Sequence, residues 1–309
     1  MAGETTRRVP DRSEEVTTAD GRTITYATFG SASGTPLVAF HGTPGSRLFG
    51  RLLDEQAREH DIRVIVVDRP GFGQSDPDPA FGPDEVVDIV DPVLDALACS
   101  QVDVLGFSGG APYALALAGA RPDTVRSADI VSGSVPPSLQ VDQPSQMRLL
   151  SGMARRTPRL LGGLLRGQSW FARRRPAVVA GQYTDPADVP DSVVEDVASE
   201  FLEAMAETRA GTIRELEAAG SAWPVELDSI EPPVRLWHGD RDENVPIEGV
   251  RRLVDRLPEA TLTVCDGADH LQTLLESRDQ LFEAPGDQRD SSSESTSYAS
   301  SSTSTVSSS

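Results

Sequence analysis

The sequence predicts an α/β fold, a mostly parallel, doubly wound sheet with antiparallel strands at its N-terminal side and an inserted group of helices. Three observations predict it. Short apolar blocks such as Leu37-Val38-Ala39-Phe40 and Val64-Ile65-Val66-Val67 have the unbroken hydrophobicity of strands covered on both faces. These blocks take turns with helix-length segments, which implies right-handed crossovers between parallel strands. With 309 residues the chain is also long enough to bury one large core and carry an insertion.

Taken in order, residues 14–29 alternate in character on either side of Asp20-Gly21, a dipeptide that marks a β-hairpin. Strand 37–41 follows, then a helix near 47–60, strand 62–67, a helix near 84–98, strand 102–107, helix 109–120 and strand 125–132. The alternation stops near 134. It resumes with strand 234–237, a helix near 247–256, strand 260–265 and a last helix near 271–283. The expected organisation is a core formed by 1–133 and 229–286, with 134–228 inserted as a helical cap. From 287 to 309 the composition collapses to serine and threonine, which bury no core and are expected to be disordered.

Asp and Glu number 48 against 28 basic residues, every one of them arginine, for a formal charge of −20. Nucleic-acid partners are excluded on that balance, because phosphate binding draws on clustered cations. An acid excess of this size suits high salt, which screens the self-repulsion of the surface. The inserted stretch is unlike the rest: 145–175 holds eight arginines and no acid, and 185–207 holds eight acids and no base. Helices pairing through these opposite faces would account for both. The alternative is that the arginine stretch, with Leu160-Leu161, Leu164-Leu165 and Trp170-Phe171, meets a membrane surface or an anionic substrate.

No segment approaches the run of about 18 apolar residues that a membrane span needs. The first residues lack the apolar core of a signal peptide, so a cytoplasmic protein is expected. Cys99 and Cys265 are too few for a disulfide framework, lack metal-ligand spacing, and read as small buried side chains. No metal or organic cofactor is expected.

The chemistry concentrates at strand ends. Val102–Phe107 runs into Gly106-Phe107-Ser108-Gly109-Gly110, a GxSxG pattern followed by alanine-rich helix formers. A serine on such a strand-to-helix turn sits in strained backbone, and Gly106 and Gly110 leave room for close packing around it. Upstream, strand 37–40 leads into His41-Gly42-Thr43-Pro44-Gly45. The amides of Thr43 and Gly109 are expected to form an oxyanion hole, with His41 and Gly42 ordering the loop. Downstream, His238-Gly239-Asp240-Arg241-Asp242-Glu243 follows another strand and Ala268-Asp269-His270 follows the last. Of four histidines, His270 is the expected base, since His60 closes a helix and His41 and His238 belong to turns. Asp240, Asp242 and Glu243 all compete for the acid.

These segments, together with Asp68-Arg69-Pro70-Gly71-Phe72-Gly73-Gln74-Ser75, resemble the α/β-hydrolase family over about residues 20–285. The resemblance is to its capped branch, which includes prolyl iminopeptidases, carboxylesterases and cofactor-free perhydrolases. It implies a Ser108-Asp242-His270 triad, because in similar proteins the second acid of HGDxD serves and the first supports the turn. It also implies that the turn after Asp68 is scaffold, and serine at 108 argues against dehalogenase or epoxide hydrolase chemistry. The implied activity is hydrolysis of a small ester. The alternatives are a prolyl iminopeptidase-like enzyme, with a cap carboxylate from Glu195, Glu200, Glu203 or Glu207 receiving a free amine, and a non-catalytic small-molecule receptor.

Overall fold

The computed structural model describes residues 13–141, 145–283 and 298–299. The hairpin forms as expected: β1 (Ser13–Thr17) and β2 (Thr23–Gly30) pair antiparallel, and Gly21 turns between them at φ 87°, a conformation that glycine adopts without strain. Then come β3 (Thr35–Phe40), β4 (Ile62–Val67), β5 (Val102–Phe107), β6 (Val125–Val131), β7 (Val234–Gly239) and β8 (Ala260–Cys265). Their order across the sheet is β1-β2-β4-β3-β5-β6-β7-β8. Only β1–β2 and β2–β4 are antiparallel among these eight. Tyr298–Ala299 add a short antiparallel pairing to β8, and the remainder of the expected disordered tail lies outside the described residues.

Strand order places the site. From β3 the chain steps outward to β4, then returns past β3 to β5 and continues the other way, so β3 and β5 flank the point where the winding reverses. Loops leaving two such strands diverge, and the crevice between their carboxyl ends is where ligands enter sheets of this type. Phe40 pairs with Gly106, so the loops beginning at His41 and Phe107 leave the sheet side by side.

The parallel strands are mostly apolar because both their faces are covered. Val38, Phe40, Ile65 and Val67 point into one core with α2 (Val86–Ala96), α3 (Ala111–Ala120) and α9 (Ile247–Val254). Their neighbours Leu37, Ala39, Val64 and Val66 point to the opposite core, with α1 (Asp54–Glu59) and α10 (His270–Phe282). Between β6 and β7 lie α4 (Ser145–Arg156), α5 (Pro158–Ala172), α6 (Ala177–Ala180), α7 (Asp191–Ala204) and α8 (Ala210–Ala218). Their buried residues, among them Leu161, Leu165, Val197, Phe201 and Leu216, extend that second core.

Three expectations change in detail. The helix expected over 47–60 is two pieces, a 3-10 turn at Arg47–Leu52 capped by Ser46 and then α1, and the Phe29 ring packs so close to Gly50 in the first piece that a side chain there would collide with it. The arginines of α4 and α5 do not pair with the acids of α7. Two of those acids face the core arginines instead, Glu203 to Arg47 at 2.7 Å and Asp196 towards Arg51 at 3.9 Å, while Asp191 and Glu195 are exposed. Finally, Cys99 and Cys265 are half-buried rather than fully enclosed, and burial pushes the Cys265 thiol up to about 11.

Candidate active site

Ser108 stands where β5 ends, with φ 51°, in the left-handed region that residues with a side chain rarely occupy. The strain is held from both sides. A Cβ on Gly106 would lie 2.9 Å from Ala114 Cβ, and one on Gly110 would lie 2.2 Å from the Phe40 carbonyl, so helix α3 reaches the sheet only because both are glycine. The serine carbonyl is fixed by Ser134, whose amide donates to it at 3.0 Å.

Asp242 and His270 come together. His270 Nδ1 lies 2.7 Å from Asp242 Oδ2. The other oxygen of Asp242 accepts the amides of Asn244 at 2.9 Å and Val245 at 3.0 Å, which fixes the carboxylate in place. Burial opposes ionisation of Asp242, but His270 and these hydrogen bonds outweigh it and hold the carboxyl below the usual range. His270 opens α10, its carbonyl accepts Ser132 Oγ at 2.8 Å, and its ring lies between Phe107 and Tyr183 at centroid distances of 5.2 and 5.9 Å. Asp240 serves the turn, accepting the Gly267 amide at 2.7 Å. Among the described residues the hydrogen bond and ion pair of His270 to a carboxylate go to Asp242, and none goes to Glu243.

Ser108, Gly109, Thr43 and His270 all border one cavity of about 930 Å³. Its far walls come from α4, α5 and α8, through Met147, Leu150, Leu165 and Leu216. Gly109 and Thr43 are in close approach, since a Cβ on Gly109 would sit 3.2 Å from Thr43 N. The Thr43 amide donates no hydrogen bond among the described residues. His41 is fully buried and bonded to its neighbour, Nδ1 to Gly42 O at 2.8 Å; burial drives it well below the ordinary histidine range, so it stays neutral.

Two features escaped the sequence. Arg69, immediately after Asp68, forms a two-pronged pair with Glu215 of α8 at 2.8 and 2.9 Å, and also donates to the His41 carbonyl at 2.7 Å. Glu215 accepts Tyr113 Oη at 2.9 Å and the Thr43 hydroxyl as well. Although burial pushes against it, Arg69 and these bonds bring its carboxyl down to about 2. The second is Tyr183, stacked on His270, whose carbonyl accepts the Leu271 amide at 3.2 Å. Of the four glutamates considered as amine receptors, only Glu200 borders the small pocket shared by Ser108, Pro44 and Tyr183. Its carboxyl abuts Gly45, and burial pushes it up to about 8.

The model of the alpha/beta hydrolase fold matches residues 35–277. The chain belongs to the alpha/beta hydrolase family. Its members similar to this chain include a 2-hydroxy-6-oxononadienedioate/2-hydroxy-6-oxononatrienedioate hydrolase of Cupriavidus pinatubonensis, 28% identical, with 67% of this chain and 70% of that protein aligned. Against the acetyltransferase component of the acetoin cleaving system of Pseudomonas putida, also 28% identical, 81% of this chain aligns but spans 62% of that longer protein. Among solved alpha/beta hydrolases, a thermophilic esterase of Thermogutta terrifontis superposes with a TM-score of 0.65 at 19% identity, covering 88% of this chain and 95% of the esterase, a likeness of fold. Family and relatives together support a hydrolytic role. Among the described residues no helix is long and apolar enough to cross a membrane, and no group of three His, Cys, Asp or Glu is placed to hold a metal ion.

Proposed function

We propose that this protein hydrolyses small carboxylic esters through a Ser108-His270-Asp242 triad, with α4–α8 acting as a cap over the serine. The observation that carries the reading is the 2.7 Å contact of His270 with a buried, ionised Asp242, on a histidine that opens onto the same cavity as the strained Ser108.

In this reading Ser108 Oγ attacks the ester carbonyl carbon while His270 Nε2 takes the hydroxyl proton, and Asp242 holds the proton on Nδ1. Negative charge collects on the carbonyl oxygen, where the amides of Thr43 and Gly109 receive it. Collapse of the tetrahedral species breaks the bond to the leaving alkoxide, which departs with the proton from His270. Water then attacks the acyl-enzyme, again giving its proton to His270, and the acid leaves as the Ser108–acyl bond breaks and the proton returns to Ser108.

One observation favours a second reading. Glu200 places a carboxyl in the small pocket against Ser108, and a substrate ammonium there would restore its charge, as an aminopeptidase acting on a free N-terminus requires. Short-chain nitrophenyl esters assayed beside proline nitroanilide separate the two. The ester reading expects turnover of the first alone and labelling by a fluorophosphonate that Ser108→Ala removes; no turnover and no labelling would leave only a non-catalytic receptor.

A further inference from the structure

Seven large hydrophobic side chains stand well exposed among the described residues, and all seven fall between positions 141 and 178. Leu149 on α4 and Leu160, Leu164, Trp170 and Phe171 on α5 form the body of the group, between 41% and 64% exposed, with Val141 and Val178 beyond either end. On α5 the spacing is helical: Leu161, Leu165, Ser169 and Ala172 are buried, and Leu160, Leu164 and Phe171 share the outward side. Monomeric proteins scatter such residues singly, and gathering them on one pair of helices marks an interaction surface.

The charge on that surface is the reverse of the rest of the molecule. All eight arginines of 145–175 are exposed, and among the described residues none makes an ion pair with a carboxylate. Arg174 lies over the Trp170 ring at 3.9 Å, and Arg155 reaches only the Glu217 carbonyl at 3.0 Å. In a chain with 48 acids, its densest group of cations thus forms no carboxylate pair among the described residues. Exposed leucine and tryptophan set among arginine forks match an anionic lipid surface, whose headgroup phosphates take the guanidinium and whose acyl boundary takes the apolar side chains.

We propose that the outer side of α4 and α5 docks on a bilayer containing anionic phospholipid. The opposite side of the same two helices, through Met147, Leu150, Leu165 and Gln168, walls the cavity that ends at Ser108. Docking therefore brings the cavity wall to the membrane without involving the residues beside the serine. The overall charge of −20 does not forbid it, because charges farther away than about 8 Å are screened at physiological salt.

The test is flotation of the full chain with vesicles at about 0.15 M salt, comparing phosphatidylcholine alone with a mixture containing phosphatidylglycerol. Recovery with the anionic vesicles is expected to exceed that with phosphatidylcholine by about tenfold or more. The charge variant R166E/R173E/R174E and the apolar variant L160S/L164S/W170S should each lose it, and R166K/R173K/R174K should keep it. All these positions are exposed, so the variants should keep the wild-type melting temperature and any turnover of a water-soluble ester. Failure of the wild type to float, or flotation of both loss variants at the wild-type level, overturns the proposal. So does a concentration-dependent dimer in light scattering that the same substitutions abolish, since the face would then receive a second copy. Flotation needs no turnover, so the result stands apart from the ester reading.

Discussion

Glu215 and Arg69 meet edge to edge at 2.8 and 2.9 Å, joining α8 of the insertion to the turn after β4 directly beneath the loop that carries Thr43. Helix α8 is pinned to the same turn at two further points: the Gly211 amide donates to the Gly71 carbonyl at 3.1 Å, and Arg214 donates to the Pro70 carbonyl at 2.7 Å. A break in the pair leaves a guanidinium buried and uncompensated.

Glu215→Gln should therefore destabilise the protein by about 3–5 kcal/mol. The effect depends on pH in a definite sense. Because the folded carboxyl is held at about 2, its contribution is complete above the ordinary carboxylate range and disappears as pH falls from there towards 2. Melting curves of the two proteins should converge over that window, and equal melting temperatures at pH 7 would sink the argument.

Asp242→Asn should lower kcat for an ester substrate by about 10⁴-fold, since the amide supports the wrong tautomer of His270, and should change KM little. Asp240→Ala removes the bond to the Gly267 amide, so its effect should appear in stability before turnover. The assignment of the acid rests on this contrast, and a larger kcat loss at 240 reverses it.

Ser108→Ala should abolish fluorophosphonate labelling and ester turnover. Ser108→Gly should be equally inactive yet more stable than the alanine variant by about 1 kcal/mol, because glycine adopts φ 51° freely. Denaturant midpoints of the two dead variants give the measurement, and a less stable glycine variant would mean that the elbow stores no strain.

Glu200 works in the opposite direction from Glu215. Its folded carboxyl keeps its proton up to about 8, so between the ordinary carboxylate range and that value the unfolded chain releases a proton that the folded chain retains. Stability of the wild type should fall across this window by at most about 1.4 kcal/mol per pH unit, and Glu200→Gln should flatten the slope. Parallel pH profiles of the melting temperature would contradict the burial argument. An aminopeptidase would lose its substrate with the same change, whereas an ester hydrolase would not.

The sheet was legible in the sequence because strands covered on both faces are mostly apolar over short blocks, and each chemical motif follows such a strand. Ser108 and His270 could be found from strand ends, whereas Asp242 was separated from Asp240 and Glu243, in the same loop, only by the family resemblance. Arg69 and Glu215 could not, for they are 146 positions apart and nothing in the local sequence of α8 marks Glu215 until the helix is docked. Pairing between the arginine and acid stretches failed as an expectation for a related reason. Composition tells which charges a segment has, while the tertiary arrangement decides which way they face, and Glu203 and Asp196 face Arg47 and Arg51.

Residues 182 and 183 join the insertion to both halves of the acid–base pair. The Gln182 carbonyl accepts Asn244 Nδ2 at 3.0 Å, next to the loop that holds Asp242, and the Tyr183 carbonyl accepts the amide that follows His270. For anyone rebuilding this protein to take new substrates, the molecule divides into two zones. Helices α4 and α5 offer the cavity wall to change, through Met147, Leu150 and Leu165, provided Gln168 keeps its bond to Gln182 at 3.2 Å, whereas, on the triad reading, a graft that displaces the Gln182-Tyr183 junction would reset the alignment of imidazole and carboxylate.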